Sequence, residues 1–148
     1  MNRKVTKPKI KTPPKLFKET QSLLKSVTQK LDGDFISYWI SANSRIVGDD
    51  TIPFYEVCKK KGSSDTLYLF IKSDGGSGEG SLRIVNLLRK YYKKIIALVP
   101  LDCASAATML ALGADTIRMG PLAYLSSIDT SITHDLSPID KDNDRVSV

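Results

Sequence analysis

The sequence contains few of the residues that build metal sites, disulfide frameworks or membrane spans. Its 148 residues include one histidine, His134, and two cysteines, Cys58 and Cys103. This number of ligands predicts neither a metal centre nor a disulfide framework and is typical of a reducing, intracellular setting. No apolar run reaches the length of a membrane span, and the first residues lack the apolar stretch of a signal peptide. We therefore expect a cytoplasmic protein that uses no cofactor.

The positive charge is concentrated at the start of the chain. The net charge is +6, yet residues 1–18 alone contain seven lysines and arginines and no acidic residue. The rest of the chain is therefore close to neutral, and Pro8, Pro13 and Pro14 disfavour regular structure in this segment. We interpret residues 1–18 as a basic flexible tail, normally solvated. Contact with nucleic acid or an anionic membrane surface is the alternative.

Apolar strand-like and helix-like segments alternate through residues 19–148, which predicts one α/β domain. Strands are expected at Asp34–Ile40, Leu67–Ile71, Ile95–Val99 and Thr116–Met119, and helices at Leu16–Leu31, Pro53–Gly62, Ser81–Tyr92 and Ala106–Leu112. Asp49 or Asp50 would cap the second helix. Strands separated by helices pair in parallel through right-handed crossovers. The predicted fold is therefore a mainly parallel sheet with flanking helices.

Ser105 is the first candidate for chemistry. It follows the apolar segment Ile95–Val99 and a short loop, and it directly precedes the helix-forming run Ala106–Leu112. Free backbone N–H groups at the start of a helix favour negative charge, which an acyl-transfer nucleophile needs beside it. A lone serine there is more often a simple helix cap, so this interpretation depends on a second segment.

The second segment is a glycine-rich loop after the strand Leu67–Ile71. Gly75, Gly76, Gly78 and Gly80 allow a tight turn and a close approach of backbone N–H groups to a ligand. Residue 81 is serine, so the dinucleotide pattern fails at its last glycine, and no Gly-Lys-Ser/Thr follows as in a P-loop. Because parallel strands end at one edge of the sheet, one loop would supply the nucleophile and the other the oxyanion donors.

Three segments in this order resemble the Clp-fold serine peptidases, and in particular the serine dehydrogenase proteinase family, which is related to signal peptide peptidase A. They are Ile71–Gly76, Ala104–Thr108 and Leu112–Pro121, within a resemblance that covers roughly residues 33–130. The resemblance implies a Clp/crotonase-like β-loop-α spiral, a peptide or protein substrate and a homo-oligomer. Such domains usually continue into closing helices. The charged segment after Ile139 therefore favours either a domain truncated at its C-terminus or a divergent member of the family that lost its end.

The resemblance also implies roles for individual residues. Ser105 would be the nucleophile, and the N–H groups of Gly75 or Gly76 and of Ala106 would form the oxyanion hole. Asp129 and His134 follow Ser105 in the order Ser, Asp, His that this family uses. His134 lies in a polar segment, where a solvated histidine is ordinary, so a lysine such as Lys141 is the alternative base.

Two departures from the family pattern bear on activity. Ala107 stands where the family usually has glycine, and Ser126 and Ser127 stand where it usually has Gly-Pro. They leave open a catalytically inactive Clp-fold module that binds peptides or assembles with partners. A crotonase-like acyl-CoA enzyme is a further alternative, although such an enzyme needs no serine at the helix start. Cys103 is a candidate thiol nucleophile, but a small buried core residue is the more ordinary interpretation.

Overall fold

The computed structural model describes residues 17–61 and 64–128, except the side chain of Lys61. The chain divides into two compact units, one ending at Leu31 and the other beginning at Asp32. The first contains helix α1 (Phe17–Thr28). The second contains β1 (Asp34–Trp39), α2 (Thr51–Lys61), β2 (Thr66–Lys72), α3 (Gly78–Tyr91), β3 (Lys94–Val99), β4 (Asp102–Cys103), α4 (Ala106–Leu112), β5 (Thr116–Met119) and β6 (Tyr124–Leu125). The predicted tail boundary at residue 18 stays a prediction.

Helix α1 is shorter than the sequence pattern suggests. The expected helix extends to Leu31, but α1 ends at Thr28, and the N–H groups of Lys30 and Leu31 donate to the carbonyls three residues before them. Such i to i−3 bonds tighten the last turn and end the regular helix. None of the residues of α1 is buried. Across all described residues, no helix combines the length and the apolar character needed to cross a membrane.

The main sheet has four parallel strands, as the alternating pattern predicts, and their order in the sheet is β1-β2-β3-β5. The inner strands are nearly continuous apolar runs, which is typical of the strands of a parallel sheet. Strand β2 extends to Lys72, one residue beyond the expected end, because Lys72 pairs with Trp39 and its carbonyl accepts the N–H of Ile40 at 2.8 Å. Pairing with a neighbour therefore sets the end of the strand.

The core of the second unit lies on one face of this sheet. Ile36, Leu69 and Ala97 occupy paired positions on β1, β2 and β3, and all are buried. Phe54 of α2, Ile84 of α3 and Leu110 of α4 belong to the same cluster. Burying a large aliphatic or aromatic side chain contributes about 1.5–3 kcal/mol, so these contacts are the main force that holds the helices on the sheet.

Helix α3 begins three residues before the expected start at Ser81. Ser77 caps it by accepting the N–H of Gly80 at 3.0 Å, which makes Gly78 the first helical residue. The sequence suggested a loop here because glycine disfavours helix. Close packing explains the glycine at position 80, since a Cβ there would lie 2.9 Å from the carbonyl oxygen of Val47.

Asp50 holds the loop before α2 rather than capping that helix. It ends a short 3₁₀ turn, Gly48–Asp50, and its carboxylate accepts the N–H of Val47 at 2.9 Å and the hydroxyl of Tyr38 at 2.7 Å. Burial, together with the hydrogen bond to Asp50, raises the pKa of Tyr38, so the hydroxyl remains a donor at neutral pH. The expectation that Asp50 caps α2 is therefore corrected to a role in fixing this loop, whereas the expectation for Asp49 stays a prediction.

A second set of short parallel pairings was not predicted from the sequence. Strand β4 pairs with β6, Ser73 forms a bridge with Cys103, and Ile46 forms a bridge with Gly76. These segments are one or two residues long, so they carry no periodic hydrophobic signal. They nevertheless place four stretches of chain side by side, and the candidate site lies among them.

Candidate active site

The end of β2 is joined to the loop that carries Ser105. The N–H of Ser73 donates to the carbonyl of Asp102 at 3.0 Å, and the N–H of Ala104 donates to the carbonyl of Ser73 at 3.0 Å. Both contacts are backbone hydrogen bonds of a parallel β-bridge, so they fix the register of the two loops against each other. The expectation that the glycine loop and the serine loop lie together is therefore met by direct backbone pairing.

A buried lysine adds an electrostatic link between the same two loops. Lys72 is 8% exposed, and its Nζ lies 3.5 Å from a carboxylate oxygen of Asp102 and 3.7 Å from one of Asp74. A buried ammonium needs such partners because an unpaired charge there would be strongly destabilising. Lys72 thus draws together the residues that flank Ser73 and Cys103.

Gly75 makes the closest approach to the candidate nucleophile. A Cβ on Gly75 would lie 2.8 Å from Cβ of Ser105 and 2.9 Å from the carbonyl oxygen of Ala104. Gly75 also has φ +110°, which residues with a side chain rarely adopt. Both the space and the backbone angle therefore require glycine at this position.

Ser105 has the strained backbone that a nucleophile at a sharp strand-to-helix turn typically shows. Its φ is +50°, and it is the one non-glycine residue with positive φ in the described ranges. It precedes α4, yet its side chain makes no capping hydrogen bond. The ordinary interpretation, a helix cap, therefore does not account for this serine, because its hydroxyl accepts no hydrogen bond from the first turn of α4. Strain of this kind costs on the order of 1–3 kcal/mol and is found mainly where function requires it.

Ser126 holds Ser105 in this conformation. The N–H of Ser105 donates to Oγ of Ser126 at 2.7 Å, and that hydroxyl donates to the carbonyl of Ser127 at 3.0 Å. The hydroxyl of Thr108 lies 2.8 Å from the carbonyl of Cys103 and 3.1 Å from that of Ser126. The sequence singled out Ser126 only as a departure from a family pattern, so no local signal could have revealed this contact.

The structure separates the two candidate oxyanion donors on the glycine loop. The N–H of Gly75 donates to Oγ of Ser73 at 3.1 Å and is already used. Among the described residues, the N–H groups of Gly76 and Ala106 have no hydrogen-bond partner. Gly76 is held in place by Ile46, whose N–H donates to the carbonyl of Gly75 at 2.9 Å and whose carbonyl accepts the N–H of Ser77 at 2.8 Å. The geometry therefore favours Gly76 over Gly75.

Ser105, Ala106, Gly75 and Gly76 line one pocket of about 650 Å³. Its wall also includes charged and apolar residues that the sequence did not single out: Arg45, Asp74, Glu79, Met109 and Ile128. Arg45 is the one basic residue among those that line the pocket in the described ranges. A guanidinium stays protonated in proteins, so Arg45 is not a candidate base.

The other predicted catalytic residues cannot be placed. Asp129 and His134 lie outside the described residues, as does Lys141. Cys103 is described and fully buried, and burial raises the pKa of its thiol to about 12. A thiol in that environment is not a nucleophile at neutral pH, so the buried-core interpretation of Cys103 is the one that fits. Within the described ranges, no group of three or more His, Cys, Asp or Glu residues could hold a metal ion.

Comparison with solved structures identifies the fold. The chain is similar to a serine-to-alanine mutant of 1510-N, a membrane-bound stomatin-specific protease. The TM-score is 0.55, and the identity is 16% over 78% of this chain and 53% of that one. It also matches a mutant of ClpP1 from Listeria monocytogenes, with a TM-score of 0.49 and 20% identity over 63% of this chain and 58% of that one. An enoyl-CoA hydratase/isomerase family member matches with a TM-score of 0.45 and 15% identity, over 62% of this chain and 44% of that one.

The chain therefore spans about half the length of these structures. No protein-family model matches the sequence, and a search of curated proteins finds no match. At such low identity the similarity is one of fold. The chain has an α/β fold with a mainly parallel sheet and flanking helices, similar to that of the stomatin-specific protease.

Proposed function

We propose that this chain is a serine peptidase of the Clp-fold type and that Ser105 is its nucleophile. Oγ of Ser105 attacks the carbonyl carbon of a peptide bond, and its proton passes to a general base. The carbonyl oxygen becomes an oxyanion, which accepts hydrogen bonds from the N–H groups of Gly76 and Ala106. The supporting observation is the strained Ser105, with its hydroxyl unused as a cap, in one pocket with these two unbonded donors.

The general base in this proposal is His134, oriented by Asp129. The support is residue type and chain order, since His134 is the one histidine of the sequence and Asp129 lies between Ser105 and His134, five residues before the histidine. The base returns its proton to the leaving amine when the acyl-enzyme forms, and it then activates the water that hydrolyses this intermediate. His134→Ala should lower the rate of hydrolysis about 10²-fold or more. An unchanged rate would transfer the role to another residue, such as Lys141.

The decisive experiment is labelling with a fluorophosphonate, which reacts with activated serines. The parent chain should be labelled and should hydrolyse casein or a peptide ester. Ser105→Ala should lose the label and lower the hydrolysis rate on the order of 10⁴-fold. Ser127→Ala is a matched control, because it removes an exposed hydroxyl next to Ser126, whose Oγ accepts the N–H of Ser105. Hydrolysis by Ser105→Ala at the parental rate would refute the assignment.

A catalytically inactive peptide-binding module is the second candidate. The observation that favours it is the lack of a histidine or lysine among the described residues that line the pocket. Such a module would bind peptides without labelling by the fluorophosphonate. Stabilisation by an acyl-CoA in a thermal-shift assay, again without labelling, would instead support the crotonase-like alternative.

We also propose that the chain self-associates. Apolar side chains are exposed along the segment that follows α4, including Met119 at 48%, Leu122 at 77% and Tyr124 at 49%. Exposed apolar residues gathered in one segment are typical of an interface. Light scattering should give a mass above that of the 16.3 kDa monomer. Leu122→Glu should shift the mass towards the monomer, and a monomeric parent chain would refute the proposal.

A further inference from the structure

Arg45 is a charged residue of the pocket wall that no other described residue neutralises. It lines the pocket together with Ser105 and Gly76. Its guanidinium forms no ion pair or hydrogen bond with another residue in the described ranges. A guanidinium stays protonated and presents a planar fork of N–H donors, which matches the two oxygens of a carboxylate. Arg45 therefore offers the pocket a positive charge whose donors are free for a ligand.

The backbone holds Arg45 beside the proposed oxyanion donor. Ile46, the next residue, forms a parallel bridge with Gly76 and is 1% exposed. A Cβ on Gly76 would lie 3.1 Å from Cβ of Arg45, so the arginine side chain begins close to this glycine. A substrate whose carbonyl oxygen accepts the N–H of Gly76 therefore has its scissile bond next to Arg45.

Two carboxylates line the same pocket, but each has a positive neighbour of its own. Asp74 has a carboxylate oxygen 3.7 Å from Nζ of the buried Lys72. Glu79 lies in the first turn of α3, where the free N–H groups of the helix N-terminus favour a negative charge. These two acidic groups are thus offset within the fold, whereas the charge of Arg45 is not.

We propose that Arg45 binds a carboxylate of the substrate next to the scissile bond, and that the pocket therefore prefers peptides that carry one there. An Asp or Glu side chain and the C-terminus of a peptide present the same two oxygens to the guanidinium. The experiment below separates these two sources. The proposal rests on the proposed function in that a peptide occupies the pocket, but it requires no chemical step at Ser105.

The test measures peptide binding to the Ser105→Ala variant by fluorescence anisotropy, so that no peptide is hydrolysed. The probes are labelled, amidated hexapeptides of alanine and leucine in which one position carries Glu, Gln or Lys, and this position is moved along the peptide. A further probe carries Gln and a free C-terminal carboxylate.

The Glu peptide or the free-carboxylate peptide should bind about tenfold more tightly than the amidated Gln peptide, because hydrogen bonds to charged groups are the stronger ones. The acidic peptide that shows this gain identifies the source of the carboxylate. The Lys peptide should bind no more tightly than the Gln peptide.

Matched variants in the Ser105→Ala background assign the preference to Arg45. Arg45→Gln should remove it, and Arg45→Lys, which keeps the charge without the planar fork, should retain part of it. Arg83→Gln is the control, because it removes an exposed guanidinium of the same unit outside the pocket wall. It should leave the preference within about twofold. Circular dichroism checks that all variants keep the fold.

Several results would overturn the proposal. They are equal binding of all peptides, no measurable binding of any, and an acidic preference that persists in Arg45→Gln. Tighter binding of the Lys peptide would also overturn it and would assign the specificity to Asp74 and Glu79.

The proposed peptidase function fails by a different result, the absence of fluorophosphonate labelling of the parent chain. An unlabelled chain that still binds the acidic peptide through Arg45 would support the carboxylate subsite and the inactive peptide-binding module.

Discussion

Ser126→Ala should lower the reactivity of Ser105 while the protein stays folded. The substitution removes the hydroxyl that accepts the N–H of Ser105 at 2.7 Å. Losing one neutral hydrogen bond costs about 1 kcal/mol, and leaving a partly buried donor unpaired costs about 1–3 kcal/mol. The backbone strain at φ +50° is of the same order. Once Ser126 is removed, Ser105 can relax to a negative φ and carry its Oγ away from Gly76.

The expected fall in fluorophosphonate labelling rate is about 10- to 100-fold, because a loss of about 1.4–2.8 kcal/mol in the population of the reactive geometry corresponds to that factor. The free energy of unfolding, measured by urea denaturation, should fall by about 1–3 kcal/mol. Ser127→Ala keeps the carbonyl that accepts the Ser126 hydroxyl and serves as the control. Labelling of Ser126→Ala at the parental rate would show that the strained conformation does not depend on this contact.

Three further substitutions test other parts of the structure. Gly75→Ala should abolish labelling of Ser105 and lower the free energy of unfolding by about 1–3 kcal/mol. The new methyl group would clash with Cβ of Ser105, and the φ of +110° at this position is strained for any residue with a side chain. Labelling at the parental rate would contradict this packing. Asp50→Ala should speed amide exchange in the loop before α2 and lower stability by about 1–3 kcal/mol, since a tyrosine hydroxyl and a backbone amide lose their acceptor; unchanged exchange would contradict its role. The pKa of Asp115 is lowered mainly by a hydrogen bond from the N–H of Ile95 and next by one from Arg89. The stability that Asp115 contributes to the fold is therefore fully present above the ordinary aspartate pKa and is lost as pH falls through the lowered value. Asp115→Asn should therefore lower the melting temperature at pH 7 and change it much less once the pH lies below the lowered pKa of Asp115, and an equal effect at both would refute the linkage.

The sequence by itself determined the parallel sheet and its helices. Buried runs such as Leu67–Ile71 and Ile95–Val99 alternate with helical periodicity, and the structure confirms these strands with ends shifted by one residue. Helix α4 and strand β5 match their predicted bounds. These elements depend on local propensity and on one buried face, and both can be recognised within a short window of residues.

The sequence also placed the two loops of the candidate site on the same edge of the sheet. Parallel strands joined by helices all end at that edge, so Ser105 and Gly75–Gly76 had to lie near one another. Their actual contact depends on something the sequence does not encode locally. It requires the bridge between Ser73 and Cys103, a pairing of single residues from distant segments.

Only the tertiary structure decided which groups are free to act. It showed that the N–H of Gly75 is taken up by Ser73 while that of Gly76 is unbonded within the described residues, and that Ser126 supports the strained backbone of Ser105. It also showed that Cys103 is buried in the core. A hydrogen bond between Ser105 and Ser126 joins residues 21 positions apart, and neither has a neighbour in sequence that would reveal it. Periodicity encodes which face of an element is buried, whereas the pairing of individual donors and acceptors is set only when the packed elements fix their distances.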